Sequence, residues 1–134
     1  MREYRGRCIG DDDVYGWVEG YYVHLKDIWK KREVHRIYNG FAECDCGEFY
    51  EDYYEVDPET VGQFTGVLDK NGKKIFEGDI LRFHGMSNYP VFWDADYCAF
   101  GSCYYSDFEI LSHYNRNKIE IIGNIHDNPE LLEQ

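Results

Sequence analysis

Residues 56–80 read VDPETVGQFTGVLDKNGKKIFEGDI, and this stretch decides the fold because most of its positions carry a local structural instruction. Asp57 before Pro58 is a helix-start signal. A carboxylate accepts from the first unpaired N–H groups of a turn, and proline suits the first helical position, where no N–H is needed. Glu59 places an acid in that turn, and Gly62 ends it after about one turn. The runs 63–68 (QFTGVL) and 73–76 (KKIF) then flank Asp69-Lys70-Asn71-Gly72, whose Asn-Gly pair tolerates the positive φ of a tight hairpin. Glu77-Gly78-Asp79 is a second tight turn, feeding a strand at 79–84 (DILRFH). Short strands separated by turns leave little room for helix, so the stretch predicts β structure.

Outward toward the C-terminus, strands are expected at 90–94 (PVFWD), 98–105 (CAFGSCYY) and 118–126 (KIEIIGNIH). Asn128-Pro129-Glu130 starts a final short helix over 129–133. Ile75, Ile80, Phe83, Trp93, Ile119 and Ile121 are the candidate filling of a small barrel. Toward the N-terminus, residues 2–9 (REYRGRCI) open the chain as a strand, and Gly10-Asp11-Asp12-Asp13 reads as a polar turn. Residues 17–25 (WVEGYYVHL) alternate as a strand with a bulge at Gly20. The segment 26–32 (KDIWKKR) reads as a loop or a short helical turn. Strands at 33–38 and from Phe41 are expected to meet in a hairpin at Asn39-Gly40, and 48–56 (EFYEDYYEV) continues the sheet. This half reads as a meander. There is no internal repeat, linker or low-complexity tract.

Composition points the same way. The 134 residues include 13 Tyr, 8 Phe and 3 Trp, and aromatic side chains favour pleated, half-buried strands. The length suits one compact domain or two packed lobes. The formal net charge is −12, from 26 acidic against 14 basic residues. It is spread along the chain, with eight basic against fifteen acidic residues in 1–63 and six against eleven in 64–134. Such a field repels phosphate and anionic lipid, which disfavours direct nucleic-acid or membrane binding. It suits either a solvated acidic surface or one that imitates nucleic acid. No segment approaches the ~18–20 apolar residues of a membrane span, and the start MREYR lacks the apolar stretch of a secretory signal. The five cysteines are expected as reduced thiols, which suits a cytoplasmic protein.

Two blocks carry a family resemblance. Residues 56–80 closely resemble the signature segment of YopX proteins, and residues 121–132 (IIGNIHDNPELL) are similar to the C-terminal segment of the same family. The opening MREYRGRC is similar to the family's start, although apolar and aromatic residues are missing after the second arginine; residues 9–55 match nothing specific. The resemblance implies a phage or prophage protein with a β-rich N-terminal lobe and a C-terminal lobe similar to an SH3-like small barrel. It implies no activity, no cofactor and no catalytic residues.

The remaining motifs fail chemical tests. Gly66 to Lys73 looks like a phosphate loop, but the glycine spacing is one residue too long, Lys74 stands where Ser or Thr is needed, and the segment should be a hairpin rather than open a helix. Asp11-Asp12-Asp13 and Gly16 suggest a calcium loop, yet Tyr15 takes the third ligand position and Tyr22 stands where a bidentate Glu is required. Cys44 and Cys46, Cys98 and Cys103, with His84 and His113, offer zinc donors, but the single-residue gap between Cys44 and Cys46 suits a zinc knuckle poorly. His24, His35, His84, His113 and His126 are scattered, and no nucleophile elbow or paired-histidine motif exists. His126 is expected as a surface or capped strand residue. Tyr50, Tyr53, Tyr54, Tyr97, Phe100, Tyr104 and Tyr105 could stack on single-stranded nucleic acid, but their neighbours Glu48, Glu51, Asp52, Glu55, Asp94, Asp96 and Asp107 have the wrong charge. Protein contact through exposed tyrosine fits better.

The expectation is therefore a mainly β chain of one domain, with an N-terminal β meander lobe over 1–56, an SH3-like barrel lobe over 57–134 and short helical turns. No catalytic, cofactor-binding or metal residue is assigned. The leading function is a non-enzymatic accessory protein that binds a protein partner or itself through exposed sheet edges. The alternatives are an acidic nucleic-acid mimic that inhibits a host DNA-binding or defence protein, and a small enzyme with a deep pocket of convergent His and carboxylates.

Overall fold

A computed structural model describes residues 3–9, 16–43, 47, 49–83, 88–104, 107–113 and 116–132. They form β-strands joined by turns and short 3-10 segments, so the mainly β reading holds. The turn expected at Gly10–Asp13, with its cation reading, lies outside the described residues, as do Cys44, Cys46, His84 and Tyr105. So do the side chains of Tyr50, Tyr104 and His113. The chain divides into two compact units, Met1–Gln63 and Phe64–Gln134. Among the described residues no helix is long and apolar enough to cross a membrane.

In the first unit, β1 (Tyr4–Arg7), β2 (Trp17–Asp27), β3 (Arg32–Glu43) and β4 (Phe49–Glu55) form an antiparallel meander. The start of β5 (Gly62–Leu68) pairs with β1. Cys8, Val18, Ile37 and Val56 are buried together, with Tyr22, Tyr54 and Val61 against them. Before β5, the 3-10 turn Pro58–Thr60 carries the expected Asp57 cap, whose side chain accepts from the Glu59 N–H at 3.0 Å.

Two expectations for this unit are corrected. Asn39-Gly40 is not a hairpin turn: β3 runs straight through it, and the register with β4 shifts between Tyr38 and Gly40. The positive φ that suits a hairpin, 130° at Gly40, serves a bulge here instead. The hairpin lies earlier, in the segment read as a loop or helical turn. Asp27 pairs with Arg32, and Oδ1 of Asp27 accepts from the N–H groups of Trp29 and Lys30, both at 2.9 Å. Lys31 takes a φ of 54° to close the turn without glycine.

In the second unit the rest of β5 pairs with β6 (Lys74–Phe76) around the expected turn, where Gly72 has a φ of 80°. β7 (Asp79–Phe83) lies between β8 (Asn88–Pro90) and β12 (Ile119–Asn124). β10 (Ala99–Tyr104) lies between β9 (Phe92–Asp94) and β11 (Asp107–Ile110), a strand the sequence did not suggest. Among the described residues no sheet closes on itself, so the barrel expected over 57–134 is not seen as a closed ring. The last turn, Pro129–Leu132, is 3-10 rather than α-helical.

The core of this unit holds Ile75, Leu81, Val91, Leu111 and Ile119, with Val67, Phe83, Phe100 and Ile121 packed against it. Ile80 is also fully buried. Trp93, expected inside, is 47% exposed. The strand read as 90–94 is broken at Val91, whose N–H donates to Asp79 and whose carbonyl accepts from Gly78. The alternation that would bury Trp93 along with Val91 therefore does not carry across the break.

Candidate interaction surface

Register sorts the β2–β3–β4 side chains onto two faces. Tyr22, Ile37 and Tyr54 share a cross-strand row on the core side. Their neighbours on that face continue outward as His35, His24 and Glu33. The Tyr22 hydroxyl meets Nδ1 of His35, the His24 and His35 rings stack at 4.2 Å, and Nε2 of His24 lies 2.8 Å from Glu33. Burial, and then the nearby Tyr4, push the Tyr22 hydroxyl above its ordinary value, so it keeps its proton beside His35. These groups were scattered in sequence and register brings them together. His24 and Glu33 are half exposed, however, and among the described residues no group of three or more His, Cys, Asp and Glu could hold a metal.

The opposite face is aromatic. Tyr21 lies across from Tyr38, which lies across from Tyr53, and the Tyr38 and Tyr53 rings are 5.1 Å apart. The Arg36 guanidinium covers the Tyr53 ring at 4.4 Å. Tyr21, Val23 and Tyr53 are substantially exposed there. Of the tyrosines proposed as a stacking surface, Tyr53 belongs to this face and Tyr54 points into the core. In the second unit, Tyr97 stacks on Phe108, and Phe100 meets Trp93 edge-on.

The β2–β3 hairpin ends in Ile28 and Trp29, which are 75% and 88% exposed. The turn presenting them is well fixed. Besides the two backbone bonds to Asp27, its Oδ2 is 3.2 Å from Arg36, and Glu55 holds Arg32 at 2.7 Å and Lys30 at 3.6 Å. The hydrogen bond from the Lys30 N–H holds the Asp27 carboxyl below its ordinary value, against some desolvation, with help from Trp29 and Arg36. Residues 24–36 contain five basic side chains and two acidic ones, a local excess of positive charge in a chain of net −12. Sequence counts by halves missed this; a window centred on KDIWKKR would have found it.

Glu55 offers an acid test of this turn. The Arg32 hydrogen bond holds its carboxyl below the ordinary 4.5, outweighing desolvation, and the Arg32 and Lys30 charges add to the effect. A lowered folded value means that the stabilisation is complete above pH 4.5 and is lost as the pH falls through the lower folded value. Thermal melts of the wild type and Glu55→Gln should therefore differ most at neutral pH, by less than about 1 kcal/mol for such an exposed pair, and converge in acid. A difference that grows in acid would contradict this ion pair.

Cys98 and Cys103 are exposed thiols, Cys8 is buried, and His126 is exposed in the turn that follows β12. Carboxylates in both units are engaged within the chain: Asp69, Asp79 and Asp94 accept from backbone N–H groups, and Asp27 and Glu55 hold cations.

No curated protein matches the chain. Among solved structures it is similar to protein EF1440 from Enterococcus faecalis, with a TM-score of 0.56, 24% identity and 98% of each chain covered, a likeness of fold. The family model for YopX protein matches residues 15–133, which extends the likeness through residues 15–55, where the sequence carries no specific motif. Over nearly its whole length, then, the chain belongs to the YopX family.

Proposed function

We propose that this protein is a non-enzymatic protein-binding module, a phage or prophage accessory protein acting in the bacterial cytoplasm, whose contact surface is the β2–β3 hairpin tip and the aromatic face behind it. The observation that carries the reading is the exposure of Ile28 and Trp29 on a turn fixed by Asp27. Burying one large apolar side chain is worth about 1.5–3 kcal/mol, so a fixed turn that holds two in water suits a partner that covers them. Tyrosine, tryptophan and arginine side by side are the residue types that dominate protein interfaces. The engagement of Asp27, Glu55, Asp69, Asp79 and Asp94 in turns and ion pairs favours this reading over nucleic-acid mimicry, which needs free acidic rows. The SH3-like description of residues 57–134 is kept as part of the proposal, on the strength of the short successive strands.

Replacing both tip residues, Ile28→Ser with Trp29→Ser, should leave stability within about 0.5 kcal/mol of wild type, because exposed side chains contribute little to the core. The same variant should lose the association shown by wild type in sedimentation and in capture by a tagged bait. Retention of every wild-type complex would sink the reading.

A further inference from the structure

We infer that the partner of the hairpin tip is a second copy of this chain, and that the tip docks into an apolar groove on the second unit of that copy. This rests on the protein-binding reading above. The groove has a volume of about 240 Å³ and is lined by Val67, Trp93, Cys98, Ala99, Phe100 and Leu111, among others. It is smaller than the ~300–1,000 Å³ of small-molecule sites, a size for one or two protein side chains. Its lining is mostly apolar, with Thr65 and Ser112 as the polar members, and Trp93 is half exposed there, meeting Phe100 edge-on at 5.0 Å. A second indole and an isoleucine are the chemistry such a lining recognises.

Charge chooses the same occupant. Asp94, Asp96 and Glu109 directly adjoin lining residues or lie within the turn that carries Cys98. Lys26, Lys30, Lys31 and Arg32 surround the tip. Removing the hairpin's five basic and two acidic residues leaves nine basic against twenty-four acidic residues in the rest of the chain. The hairpin is thus a cationic arm on a strongly anionic body, and another copy of that body is a complementary surface. Nucleic acid and anionic membrane would attract the arm too, but they would repel the body.

Tip and groove are different surfaces, so the contact is head-to-tail, and each copy offers one of each. This has a consequence that a symmetric tip-to-tip contact lacks. A copy with a disabled tip keeps its groove, and a copy with a blocked groove keeps its tip. Mixed together, they form a capped pair that grows no further.

The test is sedimentation velocity in reducing buffer over a wide concentration range, at low and physiological salt. The proteins are wild type, the Ile28→Ser/Trp29→Ser tip variant and the groove variant Ala99→Glu, each first shown to melt cooperatively. Asp96→Lys, at an exposed position, is a second groove variant should Ala99→Glu fail to fold. Wild type should sediment faster as concentration rises, and the tip variant should bind at least about thirtyfold more weakly. Tip and groove variants should each be monomeric alone and pair on mixing. Lys31→Glu should weaken association at low salt, and Asp96→Lys in the same chain should restore it.

Groove variants that associate like wild type, while the tip variant does not, would overturn this inference and leave the protein-binding reading standing. A wild type that stays monomeric throughout would also overturn it. Monomeric wild type that binds vesicles of anionic phospholipid, or a DNA duplex, through Trp29 would overturn this inference and the protein-binding reading together.

Discussion

Gly20→Ala should cost about 3 kcal/mol or more and lower the thermal midpoint by roughly 10 °C. Gly20 lies in β2 at the last pairing with β1, where it faces Tyr4, one residue before pairing with β3 begins at Tyr21. A Cβ there would stand 2.2 Å from the Tyr38 carbonyl oxygen and 3.1 Å from Ile37 Cγ2. The obstacle is backbone of the neighbouring strand and cannot swing away as a flexible side chain could. Relief requires β2 and β3 to part where Ile37, fully buried, anchors the core of the first unit. The comparison is Gly66→Ala. Gly66 also has a positive φ, 87°, but its Cβ would meet nothing within 4 Å. That substitution should cost only backbone strain, about 1–2 kcal/mol. Urea unfolding of both variants measures the contrast. Equal costs would mean that the close approach of Tyr38 carries no weight.

Gly20 also shows what the sequence could and could not say. A glycine inside an alternating run marks a bulge or a close approach, and the strand around it was legible from that alternation. Which strand approaches it was not, because that depends on pairing partners far apart in the chain. Asn39-Gly40 was misread for a related reason. Its tolerance of positive φ is local, but whether the chain turns there or only bulges depends on whether the next strand returns on the same side. The true hairpin at Asp27 lacks glycine and is built by a side chain, so its only signal was an aspartate two and three residues before the N–H groups it accepts from. The interaction surface was legible in residue type and not in place. Tyr21-Tyr22 in β2 and Tyr53-Tyr54 in β4 are adjacent pairs, and only register shows that Tyr21, Tyr38 and Tyr53 share the face away from the core while Tyr22 and Tyr54 face it. The cationic tip was hidden by averaging, since its excess of three charges is submerged in a half-chain sum of −7.

Asp69→Ala should destabilise the second unit by about 3–5 kcal/mol, a large share of the ~5–15 kcal/mol that holds a small domain together. Asp69 opens the turn that the sequence marked most clearly, and it does more there than begin a hairpin. It is buried, with 3% of its surface exposed. Oδ1 accepts from the N–H groups of Asn71 at 2.8 Å and Lys73 at 2.9 Å, which fixes the turn. Oδ2 accepts from the Ile121 N–H at 3.2 Å, which ties the turn to β12, beside the Lys70 N–H bond to the Ile119 carbonyl. Alanine removes three carboxylate contacts at once and leaves the part-buried hydrogen bonds of the Asn71, Lys73 and Ile121 N–H groups without their acceptor, the costly direction of hydrogen-bond loss. Asp69→Asn separates the two jobs. Its single oxygen can keep Asn71 and Lys73, while its amide then presents a donor to the Ile121 donor, so the turn should survive and the tie to β12 should not. The expected order of stability is wild type, then Asn at about 1–2 kcal/mol below, then Ala. Hydrogen exchange should show the Ile121 amide deprotected in both variants and the Asn71 and Lys73 amides deprotected in Ala alone. If Asn proves as damaging as Ala, with all three amides exposed, turn and tie are one cooperative element rather than two.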